Sequence, residues 1–364
     1  MPAPDTGKEL LHPSLPARSQ ALVLGSYGLV AVAVLVDLVT GPGSTLSPVL
    51  ACVPVLAGAG TRSPKVPVLA GFLAAAAAAL LALANQQVPA AVQLATYTAV
   101  AAVTLASTAN VLLVRSREHE LLQVRTVAEA AQRALLRPVP TRAGALRIAV
   151  RYLAAAAEAR IGGDLYEVLQ TDYGTRILLG DVQGKGLAAV ETAADVLGVF
   201  REAGRTEPDL ARLAERLDAA LAHRPTAERF VTAVLLGIPP ATGPAEIVNC
   251  GHPPPLLRHP SRAVTALEPP DFAPPLALRA LTGEPYRSRT FDLHRGDLLL
   301  LYTDGVAEAR NAAGDFYPLA ARLATNLTAP EPDALLVQLL ADVQSWAADG
   351  LGDDAAVLAL RRDA

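Results

Sequence analysis

The sequence holds two cysteines in 364 residues, Cys52 and Cys250. They are distant and unclustered, which excludes a disulfide framework and a cysteine-held zinc site. Charge is scarce as well. Asp, Glu, Lys and Arg make up 18% of the chain, and the formal net charge is −4. No basic run with interleaved aromatics occurs, so nucleic-acid binding has no signature here. No internal repeat is visible. Hydrophobic residues, by contrast, reach 52%, high for a purely soluble enzyme.

The shortage of charge is concentrated in residues 20–114. Residues 1–19 are polar and proline-rich, with Lys8 and Arg18, and read as a disordered tail. Four apolar stretches follow at 21–40, 46–59, 66–84 and 88–114. A membrane span needs about 20 apolar residues. The first, third and fourth meet that length; the second is short and interrupted by Pro48 and Pro54, as in a kinked span. Arg62 and Lys65 lie between the second and third stretches, and Arg115 and Arg117 follow the fourth. By the positive-inside rule this predicts a multi-pass protein of the cell membrane with both termini in the cytoplasm. A signal peptide is excluded because several apolar stretches follow one another without a single terminal cleavage site. Asp37, near the outer end of the first span, reads as a residue that reaches water. Paired intramembrane charges are lacking, which disfavours a transporter.

Residues 115–136 read as one helix leaving the membrane. Leu121, Val124, Val127, Ala131, Ala134 and Leu135 form a stripe that suits a coiled coil joining two copies into a homodimer. The same stripe suits packing on the chain's own domain, and both readings stand. Pro138 and Pro140 end the helix. The expected organisation is a tail (1–19), a membrane region of about four helices (20–114), a connector (115–140) and a cytoplasmic domain (141–364). Strands alternate there with two blocks of helix, an α+β sandwich instead of a regular βαβ fold. Expected strands lie at 146–152, 164–169, 176–181, 230–238, 246–250, 256–258, 297–302 and 355–360. Expected helices lie at 187–203, 208–223 and 333–346.

Four acidic turns organise that domain: Gly162-Gly163-Asp164, Gly180-Asp181, Thr303-Asp304-Gly305 and Gly352-Asp353-Asp354. Carboxylates without histidine or cysteine partners select hard, oxygen-seeking ions such as Mg²⁺ or Mn²⁺. Two such ions, about 3.5–4 Å apart, can bridge a water, lower its pKa and hold phosphate oxygens. No protein nucleophile is then needed, and Cys250 has no arginine-rich phosphate loop after it.

Six pieces in order resemble the SpoIIE-like branch of the metal-dependent (PPM-type) serine/threonine protein phosphatases. They are ARIGGDLYEV at 159–168, LLGDVQGKGLAA at 178–189, FVTAVLLGI at 230–238, NCGHPPPLL at 249–257, GDLLLLYTDGVAEARN at 296–311 and GDDAAVLAL at 352–360. The resemblance implies a four-layer α-β-β-α sandwich with two Mn²⁺ or Mg²⁺ ions at its edge. It implies that Asp181 bridges the ions, the Val182 carbonyl is a backbone ligand, Asp164 serves the second ion, and Asp304 and Asp353 serve the first. Asp354 is the adjacent acid, and its role is interchangeable with that of Asp353 on sequence grounds. Departures are Leu165 for a common aromatic, Glu167 for a common Asp and Ala356 for a frequent threonine. None removes a metal carboxylate.

Other motif residues have two readings each. Gly162, Gly163, Gly180 and Gly305 let backbone approach the ions, and Gly184 and Gly186 shape a turn. Lys185 steers an anion or is merely solvated. Arg160 holds phosphate or an ion pair. Thr232 and Asn249 fix local hydrogen bonds. His252 is a general acid or, preferably, a turn-stabilising imidazole, since proline follows it. The expected function is a membrane-anchored phosphatase acting on phosphoserine or phosphothreonine of a cytoplasmic regulatory protein. The resemblance points to a STAS-type anti-sigma-factor antagonist. The alternative is a non-catalytic membrane receptor or scaffold that uses the fold to bind a partner.

Overall fold

The computed structural model describes residues 17–40, 45–153, 163–222, 229–240, 243–269, 271–347 and 350–363. Most of the expected tail, together with Arg160 and Gly162, lies outside the described residues. Two compact units are present, Met1–Gln123 and Val124–Ala364.

The first unit is helical: α1 (Ala17–Thr40), a 3₁₀ turn Ser47–Cys52 running into α2 (Val53–Ala59), α3 (Lys65–Ala84) and α4 (Ala90–Leu135), whose C-terminal part enters the second unit. Among the described residues, two helices are long and apolar enough to cross a membrane, Lys65–Ala84 and Ala90–Glu120. Leu24–Asp37 and Ser47–Ala59 are shorter apolar helices among the described residues. At 2.0 Å per 3₁₀ residue and 1.5 Å per α residue, Ser47–Ala59 reaches about 22 Å, short of a 30 Å hydrocarbon core. Small residues bring these helices together. Ala70, Ala74 and Ala77 of α3 are buried, and Ser107 Oγ donates to the Pro54 carbonyl at 2.8 Å. Asp37 departs from expectation. It is 5% exposed, and its carboxylate accepts from Leu46 N at 2.5 Å and Thr45 Oγ1 at 3.2 Å. It closes the turn that begins the next helix instead of reaching water.

The second unit contains two antiparallel sheets. One has the order β1-β2-β11-β10-β7-β8, and the other β3-β4-β5-β6-β9. The strands are β1 (Arg142–Ala143), β2 (Leu146–Leu153), β3 (Leu165–Thr171), β4 (Gly174–Val182), β5 (Val231–Ile238), β6 (Ala245–Cys250), β7 (Leu256–Arg258), β8 (Val264–Ala266), β9 (Arg289–Phe291), β10 (Leu298–Tyr302) and β11 (Ala355–Arg362). The helices are α5 (Leu187–Thr206), α6 (Leu210–Ala222), a single turn α7 (Asp304–Ala307), α8 (Leu319–Thr325) and α9 (Pro332–Trp346).

Period-two geometry explains why central strands are apolar throughout. Ile177 and Leu179 of β4 enter the inter-sheet core beside Leu299 and Leu301 of β10. The intervening Leu178 faces α5 and α6, where it joins Leu197, Phe200, Leu213 and Leu217. Leu298 and Leu300 face α8 and α9, beside Leu323, Leu336, Leu339 and Val343. Every face is covered, and the layers run α-β-β-α.

The end of α4 belongs to this unit, so the boundary expected at Pro138–Pro140 falls earlier. Ala128 is fully buried against Val190 of α5, with Ala131 and Leu135 beside it. Val127 is 63% exposed. The packed face keeps Ala131 and Leu135 of the expected stripe and takes Ala128 in place of Val127, an i, i+3, i+7 set against α5. Arg201 fixes the contact by donating to the Leu135 carbonyl at 2.7 Å while pairing with buried Glu167 at 2.6 Å.

Candidate metal centre

Register places the acids. In the β3–β4 pair Leu165 lies opposite Gly180, so Asp164 and Asp181 flank the same open end. In the β10–β11 pair Tyr302 lies opposite Val357, which brings Asp304 and the Asp353–Asp354 pair to the matching end of the other sheet. Thr303 ties the two sheets there. Its hydroxyl donates to Asp164 Oδ2 at 3.0 Å and accepts from Ala356 N at 2.9 Å. Four turns spread over 190 residues of chain thus meet at one edge of the sandwich.

Close backbone approach is built in. A Cβ at Gly163 would stand 2.4 Å from the Val182 carbonyl oxygen and 2.9 Å from Asp181 Oδ1. A Cβ at Gly305 would stand 2.0 Å from the Asp354 carbonyl oxygen. Gly184 and Gly186 both have positive φ, at 91° and 83°, and turn the chain from β4 into α5.

The carboxyls raise one another's pKa. Burial, then Asp181, push Asp164 well above the usual carboxylate range, although the Thr303 hydroxyl opposes this. Burial, then Asp304 and Asp353, push Asp181 up to about 7. Burial and Asp353 raise Asp304. Lys185 supplies positive charge: its Nζ lies 2.6 Å from Asp353 Oδ1 and works against the rise at Asp181. Among the described residues, no three His, Cys, Asp or Glu side chains converge as a preformed single-ion site. The donors are nonetheless carboxylate and carbonyl oxygens whose crowded charge lacks full compensation, the chemistry that suits Mg²⁺ or Mn²⁺.

Three residues to which the motifs assign no site role enter the site. Tyr152, near the end of β2, donates its hydroxyl to Asp354 Oδ2 at 2.7 Å and accepts from Gln132 Nε2 of α4 at 3.1 Å. Thr303 is the second. Arg229 is the third. A Cβ at Gly184 would meet its Nη1 at 3.0 Å, and that nitrogen is buried without a hydrogen-bond partner among the described residues. His252 is committed elsewhere. Its ring joins Thr232 Oγ1 at 3.0 Å and the Tyr302 carbonyl at 3.1 Å, and its backbone exchanges two hydrogen bonds with the Asn249 side chain. Burial lowers its pKa to about 4, so the ring is neutral and braces β5 against β10. Glu167, the departure from aspartate, is buried and pairs with Arg201.

Comparison with known proteins places the family and the fold. The Stage II sporulation protein E (SpoIIE) family matches residues 171–363. The RsbU and RsbW domains of Rv1364c from Mycobacterium tuberculosis are 28% identical with a TM-score of 0.52, over 61% of this chain and 62% of that one. The PP2C phosphatase domain of SpoIIE from Bacillus subtilis, solved with a fragment of its regulatory domain, is 17% identical with a TM-score of 0.50, over 60% and 64%. This chain thus spans less than two thirds of the length of those two. The SiaA-PP2C domain of Pseudomonas aeruginosa is 18% identical with a TM-score of 0.58, over 68% of this chain and 98% of that one. The chain belongs to the SpoIIE family, and its C-terminal unit has a PP2C-type fold.

Proposed function

We propose that this chain is a membrane-anchored, metal-dependent phosphatase that removes phosphate from serine or threonine of a cytoplasmic regulatory protein. The observation that carries the reading is the meeting of Asp164, Asp181, Asp304, Asp353 and Asp354 at one sandwich edge, with burial and mutual repulsion raising the pKa of Asp164, Asp181 and Asp304. Asp181, Asp164, Asp304, Asp353 or Asp354 and the Val182 carbonyl would hold two Mg²⁺ or Mn²⁺ ions, with Asp181 as the shared ligand. When bound, the ions supply Lewis acidity and an activated water.

The chain's own residues do the rest. Thr303 holds the Asp164 carboxylate by hydrogen bond. Tyr152 orients Asp354. Arg229 offers an unsatisfied guanidinium nitrogen beside the turn that carries Lys185, a suitable partner for a substrate phosphate oxygen. α3 and the first part of α4 anchor the chain in the membrane. The similarity to a chain carrying RsbU and RsbW domains, together with the family resemblance, supports a STAS-type anti-sigma-factor antagonist as substrate.

The test is phosphate release from a phosphoserine peptide by the full chain in detergent, with Mn²⁺, with Mg²⁺ and with EDTA. Release is expected with metal and lost by at least about a hundredfold in Asp181→Ala. Near-normal metal-dependent release by Asp181→Ala would overturn the assignment of that residue.

A further inference from the structure

The opposite end of the six-stranded sheet carries the reverse charge. Its register sets Arg147 beside Arg361 across β2 and β11, and Arg361 and Arg258 each face Leu298 of β10. Like charges directly opposite are unfavourable in a sheet. Here the row borders a cleft of about 540 Å³ that also takes in Arg262, Arg295 and Arg362. This volume lies within the range of small-molecule sites. Along β11 the cleft is about 23 Å from the Asp353–Asp354 turn, at about 3.3 Å per residue. It is separate from the metal centre.

Two of the guanidiniums are accounted for. Glu331 and Asp363 each bridge Arg147 and Arg361 and neutralise that pair. Three others have no carboxylate partner among the described residues. Arg258 is 8% exposed, and its two terminal nitrogens donate to the Leu327 and Ala329 carbonyls, which carry no full charge. Burial and the neighbouring Arg262 both lower its pKa. Arg262 and Arg295 are exposed at the tips of tight turns beside it. Arg262 adopts a φ of 69°, a conformation that disfavours a side chain, yet it keeps the guanidinium at the cleft. A buried cation without an anion is expensive, and solvent-facing arginines alone would not enclose a cleft.

We infer that this cleft binds an anion carrying two or more phosphate groups. Planar guanidinium forks pair with phosphate oxygens two at a time. Three uncompensated guanidiniums within one small cleft call for several negative charges on one compact ligand, more than a single carboxylate carries. The shared chemistry has two sources, a free oligophosphate or a phosphorylated lipid headgroup. The inference does not depend on the proposed phosphatase activity.

The experiment titrates pyrophosphate into the full chain in detergent by calorimetry, with chelator present. Under that condition the acidic edge repels the probe. The comparison is with Arg262→Gly/Arg295→Ser. Glycine suits φ 69° and both positions lie outside the core, so equal melting temperatures confirm that the variant folds. Saturable binding that weakens with salt, and is at least roughly tenfold weaker in the double variant, is expected. No saturable binding up to about 1 mM, or equal affinity in the double variant, overturns the inference. Repeating the titration in neutral bilayers and in bilayers containing a phosphoinositide identifies the source. Unchanged affinity assigns the cleft to free anions. Competition seen in the parent and lost in the variant assigns it to headgroups.

Discussion

Asp181 destabilises the metal-free fold that it is proposed to equip for metal binding, and replacing it with asparagine exposes this cost. Its pKa rises from 3.8 to about 7 through burial and the charges of Asp304 and Asp353. A carboxyl with a folded pKa above its unfolded value binds its proton more tightly in the folded state. Stability from this group is therefore complete below about pH 4 and lost as pH rises through about 7. At about 1.4 kcal/mol per pKa unit, a rise of roughly three units costs about 4 kcal/mol at pH 8. Asparagine removes the charge and keeps the shape. Its buried amide retains part of the desolvation cost, so Asp181→Asn should stabilise the chelated protein by about 2–4 kcal/mol at pH 8 and by close to nothing at pH 4. Urea unfolding at both pH values, in EDTA and in saturating Mn²⁺, reads the effect. In Mn²⁺ the sign should reverse, because the parent gains ion binding and the variant loses the shared ligand. A variant no more stable than its parent in EDTA at pH 8 would refute the reasoning.

Tyr152→Phe removes the hydroxyl between Gln132 and Asp354 without changing ring volume. It should weaken Mn²⁺ binding by about tenfold in calorimetry while leaving the melting temperature of the chelated protein nearly unchanged; equal affinity would show that Asp354 needs no orienting partner. Thr303→Val keeps the packing but strands the buried Ala356 N–H and takes the donor from Asp164. A loss of about 2–3 kcal/mol in urea unfolding is expected, and a loss under 0.5 kcal/mol would contradict the bonding described.

The acidic centre was legible because its signals are local. Glycine beside aspartate at a strand end can be read within a few residues, and each of the four turns carries that signal. The central strands were legible because β4 and β10 are covered on both faces and stay apolar throughout. Tyr152 and Arg229 left no comparable mark. Their roles follow from where β2 and the approach to β5 arrive in space, and Thr303, although part of a noted turn, meets Asp164 across 139 residues of chain. Short strands β1, β8 and β9, of two or three residues, fall below the length at which alternation is visible. The expectation for Asp37 fails because a charge near a membrane boundary looks solvated until Thr45 and Leu46 close over it. Ala128 gave no sign because alanine marks neither a buried nor an exposed face.

The six-stranded sheet ends in carboxylates on one side and guanidiniums on the other, so the second unit has an electric polarity along its strands. Under the proposed function, an approaching phosphoprotein would experience that field before it touches anything. The carboxylate edge would repel it and the far end would attract it until bound divalent cations reversed the local sign. Cation uptake would then precede productive encounter, an order imposed by long-range steering without any moving part.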